Sequence, residues 1–281
     1  MRTTARLPLQ AEAFYRTALI ALKESGVPFL VGGGYALVHY TGILRYTKDL
    51  DIFIRAVDLE PTLAALALAA NHTEVTFPHW LAKAYRDHDC IDVIFSSGNG
   101  LAVVDDVWFE YASEGEVLGL PLQICPAEET IWSKSFIVER ERYDGADVAH
   151  IIRGQGPGLD WKRILRRFGD HWRVLLSHLV MYGFIYPGER DRVPAWVLAE
   201  LLGHLQRELA EPPRDERVCQ GTLLSRQQYL VDIHHWGYAD ARLRGDGRMT
   251  PEDIALWTAA IKDDTGIYVE RQEDDPHRCR G

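Results

Sequence analysis

Paired cysteines and long apolar runs are what this sequence of 281 residues lacks. The four cysteines, Cys90, Cys125, Cys219 and Cys279, lie far apart, so neither a zinc site nor a disulfide framework is expected, and a reducing compartment fits. No apolar run approaches the roughly 20 residues of a membrane-spanning helix, and residues 1–8 lack the apolar core of a signal peptide. The sequence therefore predicts a cytoplasmic globular protein.

An excess of positive charge is also missing. The net charge is −10, which argues against binding to duplex DNA driven by overall charge but leaves room for a local basic groove that holds RNA. Hydrophobic residues make up 47% of the chain, as in globular proteins, and the length suffices for one large domain or two ordinary ones.

Hydrophobic periodicity and turn residues predict alternating helices and strands in the first half of the chain. Helices are expected over residues 9–25, 35–40 and 59–70, and strands over residues 29–31, 49–55, 74–77 and 91–95. From Ala127 onward the pattern becomes helical, with helices expected over residues 126–141, 143–152, 160–168, 171–185, 194–209, 225–229 and 251–262.

These elements together predict an α/β (α+β) protein. A small mixed-sheet domain is expected over residues 1–125 and a mainly helical domain over residues 126–270. The charged residues 271–281 are expected to form a disordered tail.

Two aspartates one residue apart, Asp49 and Asp51, are the first candidate functional residues. Side chains alternate along a strand, so both carboxylates point to the same face and repel each other. A divalent cation relieves that repulsion, and Mg²⁺ prefers few carboxylates together with phosphate oxygens. Asp92, inside a later predicted strand, is the candidate for a third carboxylate, because metal proximity would offset the cost of burying it.

A run of three glycines, Gly32, Gly33 and Gly34, lies between the predicted strand and helix upstream of these aspartates. Glycine permits close backbone approach to a ligand, and the amino end of a helix attracts phosphate groups. Glycines alone are weak evidence, since they occur at many strand-to-helix turns. Combined with two acidic strands, they indicate a site for a nucleoside triphosphate and metal ions.

The order of an apolar strand, Gly-Gly, a helix, R-x-T-x-D-L-D and a later strand Asp resembles the DNA polymerase β-type nucleotidyltransferase superfamily. Within it, residues from about 25 to 152 are similar to the bacterial minimal branch that includes the AbiEii-like toxin enzymes. Where the superfamily commonly has Gly-Ser in the phosphate turn, this sequence has Gly-Gly-Gly, as the AbiEii-like branch does. The resemblance implies transfer of a nucleoside monophosphate from an NTP to an acceptor, with release of pyrophosphate.

The resemblance also implies roles for particular residues. Asp49, Asp51 and Asp92 would be catalytic and bind two Mg²⁺ ions, and the Gly32–Gly34 turn would hold the triphosphate. The further nucleotide-binding candidates are Arg45, Thr47, Lys48, Lys134 and Asp147. For Arg45 and Lys48 the alternative is a solvated pair at a strand start, and for Lys134 and Asp147 it is ordinary surface ion pairing.

The acceptor and the partners stay open at this point. A tRNA 3′ end follows from analogy with the toxin members, which also suggests an antitoxin partner. A small molecule such as an antibiotic, or a protein hydroxyl, is the alternative acceptor. A catalytically inactive module that binds NTP or a partner is the alternative function.

A basic and aromatic segment, residues 161–168, is the candidate for contact with a nucleic acid backbone. The favoured interpretation is a solvated helix face whose apolar side belongs to the core.

Overall fold

A mixed sheet organises the first half of the chain. The computed structural model describes residues 9–44, 49–213, 216–244 and 249–260. Within them, seven strands form one sheet: β1 (Leu30–Val31), β2 (Asp49–Phe53), β3 (His72–Phe77), β4 (Leu81–Arg86), β5 (Asp89–Ile94), β6 (Ser113–Val117) and β7 (Leu120–Ile124). The order across the sheet is β3-β4-β5-β2-β1-β7-β6.

The pairing of the central strands decides which strand ends meet. Strand β2 is parallel to β5, whereas β1 is antiparallel to β2, and β4 is antiparallel to β5. Strand β1 pairs with the last two residues of β2, Leu30 with Phe53 and Val31 with Ile52, so the chain that leaves β1 meets Asp51 at Gly32.

Alternation along β2 separates the core from the opposite face of the sheet. Leu50 and Ile52 are fully buried, whereas Asp49, Asp51 and Phe53 are only partly buried. Helices α1 (Leu9–Ser25), α2 (Gly33–Thr41), α3 (Leu59–Leu66) and α4 (Asp106–Glu110) belong to this half. Burial of the apolar face against helices holds the sheet in place.

The second half of the chain is mainly helical in its described residues. It contains α5 (Ala127–Ser135), α6 (Gly145–Gln155), α7 (Trp161–Phe168), α8 (Trp172–Ile185), α9 (Ala195–Ala210), α10 (Leu230–His234) and α11 (Pro251–Ala259). A two-stranded sheet joins β8 (Val218–Cys219) to β9 (Ala239–Asp240). The predicted α/β class, with a mixed sheet followed by a helical region, is confirmed.

The predicted helix over residues 126–141 is too long. Helix α5 ends at Ser135, and a turn follows in which Glu139 N–H donates to the Arg142 carbonyl and Asp144 N–H donates to the Ile137 carbonyl. These turn bonds replace the helical ones, so α6 begins only at Gly145. The predicted helix over residues 225–229 is likewise wrong, because α10 begins at Leu230.

Three strands of the seven-stranded sheet, β4, β6 and β7, were not predicted, and neither were the short strands β8 and β9. Strand β4 contains two alanines, β6 is largely polar, and β7 contains Pro121, so none carries a strong run of β-branched residues. The predicted tail over residues 271–281 lies outside the described residues. No helix in the described ranges combines the length and apolarity that crossing a membrane requires.

Candidate functional site

Three carboxylates lie together on one face of the central strands. Asp49 and Asp51 share a face of β2, and the parallel register of β2 and β5 pairs Asp51 with Asp92. One oxygen from each of the three side chains lies within 4.8 Å of the others. All three residues are partly exposed, so a solvent-borne ion can reach them.

Lys83 on β4 lies next to this row of three carboxylates, one strand further along the sheet. It stands opposite Asp92 in the antiparallel register, and its Nζ lies 2.6 Å from Asp92 Oδ1. Burial disfavours the charged ammonium, but the hydrogen bond and the charge of Asp92 outweigh it and raise the pKa of Lys83. The sequence predicted that a metal ion offsets the cost of burying Asp92. In the structure Lys83 contributes to that offset.

Cys90 lies on the same strand as Asp92 and beside it. Its Sγ is 3.4 Å from Asp92 Oδ1, the oxygen that Lys83 also contacts. Burial, followed by the charge of Asp92, raises the pKa of the Cys90 thiol to about 12. The thiol is therefore neutral at physiological pH and acts as a weak donor.

The glycine turn lies directly against the carboxylates. Gly32 precedes α2, and its N–H donates to the Asp51 carbonyl at 3.0 Å. Gly33 has φ +52°, and a Cβ at this position would lie 1.6 Å from Asp51 Oδ2. A Cβ at Gly32 would lie 2.2 Å from the Phe53 ring. The turn therefore needs glycine at both positions, and Gly34 continues into the first turn of α2.

Lys134 on α5 forms a second charged group near the row. Its Nζ donates to Asp144 at 2.7 Å and to Asp147 at 3.0 Å, and Arg142 donates to Asp144 at 3.0 Å. Asp144 immediately precedes α6, and Asp147 lies in its first turn. The structure thus brings two residues predicted from the sequence, Lys134 and Asp147, into direct contact.

The pKa of Asp51 connects the two charged groups. Burial raises the pKa of Asp51 to about 7, and the negative charges of Asp49 and Asp92 add to the shift. The positive charges of Lys134 and Arg142 act in the opposite direction and lower this pKa. A bound cation would favour the ionised form of this carboxyl group.

Three predicted site residues, Arg45, Thr47 and Lys48, lie outside the described residues. Lys83 and Arg142 were missed by the sequence argument. For Lys83 the one signal in the sequence was Asp87, because aspartate tolerates the positive φ, here +54°, that the turn between β4 and β5 requires. Recognising that hairpin would have identified Lys83.

The basic segment over residues 161–168 agrees with the favoured interpretation in part, because its apolar side chains Trp161, Ile164 and Phe168 lie in the core. Arg163 is buried and pairs with Glu128, while Arg167 pairs with Asp105 through two hydrogen bonds of 2.7 Å. Only Lys162 and Arg166 among its four cations are exposed. Half of the basic charge is therefore used in internal ion pairs.

No family model and no curated protein matches this chain. Similar solved structures include the antibiotic-resistance factor ANT(2'')-Ia in solution, at 15% identity over 73% of this chain and 95% of that chain, with a TM-score of 0.37. The lincosamide antibiotic adenylyltransferase LnuA with lincomycin bound is 17% identical over 52% of this chain and 96% of its own, with a TM-score of 0.37.

An antigenic nucleotidyltransferase-like protein from Paracoccidioides brasiliensis is 15% identical over 64% of this chain and 91% of its own, with a TM-score of 0.42. At such identities and TM-scores, neither the family nor the activity of this chain follows from the likeness. The function has to be inferred from the chain's own residues.

Proposed function

We propose that this chain is a nucleotidyltransferase that uses a divalent metal ion. It would transfer a nucleoside monophosphate from an NTP to a hydroxyl acceptor and release pyrophosphate. The observation that supports this most strongly is the row of Asp49, Asp51 and Asp92, with ligand oxygens within 4.8 Å of one another beside a glycine turn.

The chemistry of these ligands fits Mg²⁺. Carboxylate oxygens are hard ligands, and Mg²⁺ is commonly held by one or two carboxylates together with substrate phosphates. Asp49 and Asp51 would hold the ion, and Asp92 would complete the site. When bound, the ion would neutralise charge on the triphosphate and on the leaving pyrophosphate.

The glycine turn would hold the triphosphate. The first N–H groups of α2 have no partner within a helix, and together with the helix dipole they attract anions. Glycine at positions 32 and 33 lets the turn lie directly against Asp51 and Phe53. The carboxylates and the phosphate site would therefore share one location.

The ammonium of Lys134 would balance phosphate charge on the other side of the row. Asp144 and Asp147 hold it at 2.7 and 3.0 Å, so little side-chain freedom is left to lose on binding. The proposed nucleotide site also includes Arg45, Thr47 and Lys48, which are supported by the sequence pattern alone.

Asp92 would accept the proton of the acceptor hydroxyl, and the Lys83 ammonium on Oδ1 would hold the carboxylate in place for this. The acceptors to be tested are a tRNA 3′ end, a small hydroxylated antibiotic and a protein hydroxyl. An antitoxin partner is part of the proposal only if tRNA is the acceptor.

A transfer assay tests the proposal. The chain is incubated with Mg²⁺ and each α-labelled NTP in the presence of tRNA, total protein or small hydroxylated compounds. Wild type should give a labelled product, and Asp49→Asn should give none. Asp106→Asn, a change at an exposed aspartate outside the site, serves as the matched control and should retain transfer.

A different result would contradict the proposal. NTP binding without any labelled product would indicate the inactive binding module instead. Equal transfer by wild type and Asp49→Asn would show that the assigned carboxylates are not the site.

A further inference from the structure

Three side chains, one on each of three adjacent strands, lie opposite one another across the sheet. Asp51 on β2 pairs with Asp92 on β5, and Asp92 pairs with Lys83 on β4. Directly paired residues on adjacent strands point to the same face of the sheet. These three paired side chains therefore present two negative charges followed by one positive charge. Asp49, the third carboxylate of the row, lies two residues from Asp51 on β2.

The ammonium of Lys83 occupies one particular oxygen of Asp92. Lys83 Nζ donates to Oδ1 at 2.6 Å, and Cys90 Sγ lies 3.4 Å from the same atom. The side chains of Lys83 and Asp92 are 23% and 16% exposed, so water screens this pair only in part. Oδ2 is consequently the oxygen through which Asp92 would reach a cation.

We propose that Lys83 is a positioning residue that holds Asp92 in the row and restricts the three carboxylates to one divalent cation when no nucleotide is bound. This rests on the proposed function, because it assumes that the carboxylates bind a divalent metal. It goes beyond that function by assigning a role to a residue outside the carboxylate set and by fixing the number of ions.

The charges of the row support one ion rather than two. Three carboxylates and one ammonium leave two negative charges, which one divalent cation neutralises. Two ions at a shared site stand about 3.5–4 Å apart, and the second would use Asp92. That ion would lie close to the Lys83 ammonium, and repulsion between the two like charges opposes its binding.

Displacing Lys83 to admit a second ion is also unfavourable. Lys83 is partly buried, and Asp92 is the carboxylate within salt-bridge distance of it among the described residues. Moving the ammonium away would leave a partly buried charge without that partner. Removing the ammonium by mutation should therefore free Oδ1 and admit a second ion.

A Mn²⁺ titration of the full chain without nucleotide tests this. Mn²⁺ replaces Mg²⁺ in this titration because it accepts the same oxygen ligands. The concentration of free Mn²⁺ is followed by electron paramagnetic resonance. Wild type should bind one Mn²⁺ per chain, and both Lys83→Met and Lys83→Gln should bind two. Lys83→Arg keeps the charge and should bind one. Lys23→Met, on α1 and bonded to the Pro121 carbonyl, is the lysine control and should bind one.

The outcomes separate this inference from the proposed function. Two ions in wild type, or one ion in both neutral Lys83 variants, would overturn the role of Lys83 while leaving metal-dependent transfer intact. If the neutral variants fail to fold, the wild-type titration still tests the one-ion claim, because two bound ions would overturn it. Absence of bound Mn²⁺ in wild type would overturn the inference, and the transfer assay would then judge the function separately.

Discussion

Two regions of this protein differ in the charges that lie beside their carboxylates. Between α5 and α7, Arg163 and Arg167 bridge to Glu128, Glu129 and Asp105, so cations lie directly against the acids. At the row, the charges that shift the pKa of Asp51 most, after burial, are instead the negative charges of Asp49 and Asp92.

The difference separates a structural role from a chemical one. Matched ion pairs hold helices together without leaving a charge that attracts a ligand. An excess of negative charge on a rigid sheet destabilises the fold and persists where it serves binding or catalysis. Substitutions in one region or the other should therefore change either activity or stability, and four of them follow in descending order of effect.

The substitution Asp51→Asn should have the largest effect on transfer. Loss of metal-mediated charge stabilisation is expected to lower the transfer rate about a thousandfold. This corresponds to about 4 kcal/mol in the activation free energy, at about 1.4 kcal/mol for each factor of ten. The metal-free protein should become more stable, because a repelling charge is removed. Rates from labelled NTP and thermal unfolding without metal check both parts. A variant that loses stability together with activity would contradict the contrast between the regions.

The substitution Arg163→Met should have the opposite profile. It leaves Glu128 buried without its partner, which is expected to cost about 3 kcal/mol of unfolding free energy. The transfer rate of the folded fraction should change little. Urea unfolding measures the loss, and Lys162→Met, at an exposed neighbour on α7, is the matched control with an expected change near zero. Equal stability of the two variants would refute the structural role.

The substitution Gly33→Ala tests how closely the turn approaches the row. The new Cβ would meet Asp51 Oδ2 and would also strain a residue with φ +52°. Gly42 has φ +67°, and a Cβ added there would have no atom within 4 Å, so Gly42→Ala carries the backbone strain alone. We expect a stability loss of about 2 kcal/mol at Gly33 and about 1 kcal/mol at Gly42. A transfer defect is expected only at Gly33, measured in the same assay.

The substitution Lys134→Met should weaken nucleotide binding moderately. Removal of the ammonium that we propose for phosphate binding is expected to raise KM for the NTP about tenfold, in line with a charge-assisted hydrogen bond of about 1.5 kcal/mol. Lys134→Arg should recover part of the affinity, because the charge is kept. Steady-state kinetics with varied NTP give the comparison. An unchanged KM in Lys134→Met would remove this residue from the nucleotide site.

The sequence predicted the two-acid strand, the glycine turn and the later acidic strand, because alternation and glycine chemistry are local properties. Asp49 and Asp51 share a face for that reason, whereas Asp92 joins them through the parallel register of β2 and β5. The partner of Asp92 depends on strand register across a hairpin, which periodicity in β4 does not reveal. Lys83 was therefore missed.

The end of α5 was misjudged for a related reason. The segment from Phe136 to Asp144 has helix-compatible residues, but its backbone bonds close a turn and connect Val138 to the Leu224 carbonyl. Such long-range bonds are invisible to local propensity. Tertiary context likewise made Arg163 and Arg167 of α7 partners of acidic side chains, whereas Lys162 and Arg166 are exposed.

The position of a metal ion in crystals grown with Mn²⁺ would decide whether the row is a metal site. Anomalous diffraction should show a peak in contact with carboxylate oxygens of Asp49 and Asp51, on the face of the sheet that carries Asp92. A peak elsewhere, or none at saturating Mn²⁺, would contradict the claim that this row is a metal-dependent site.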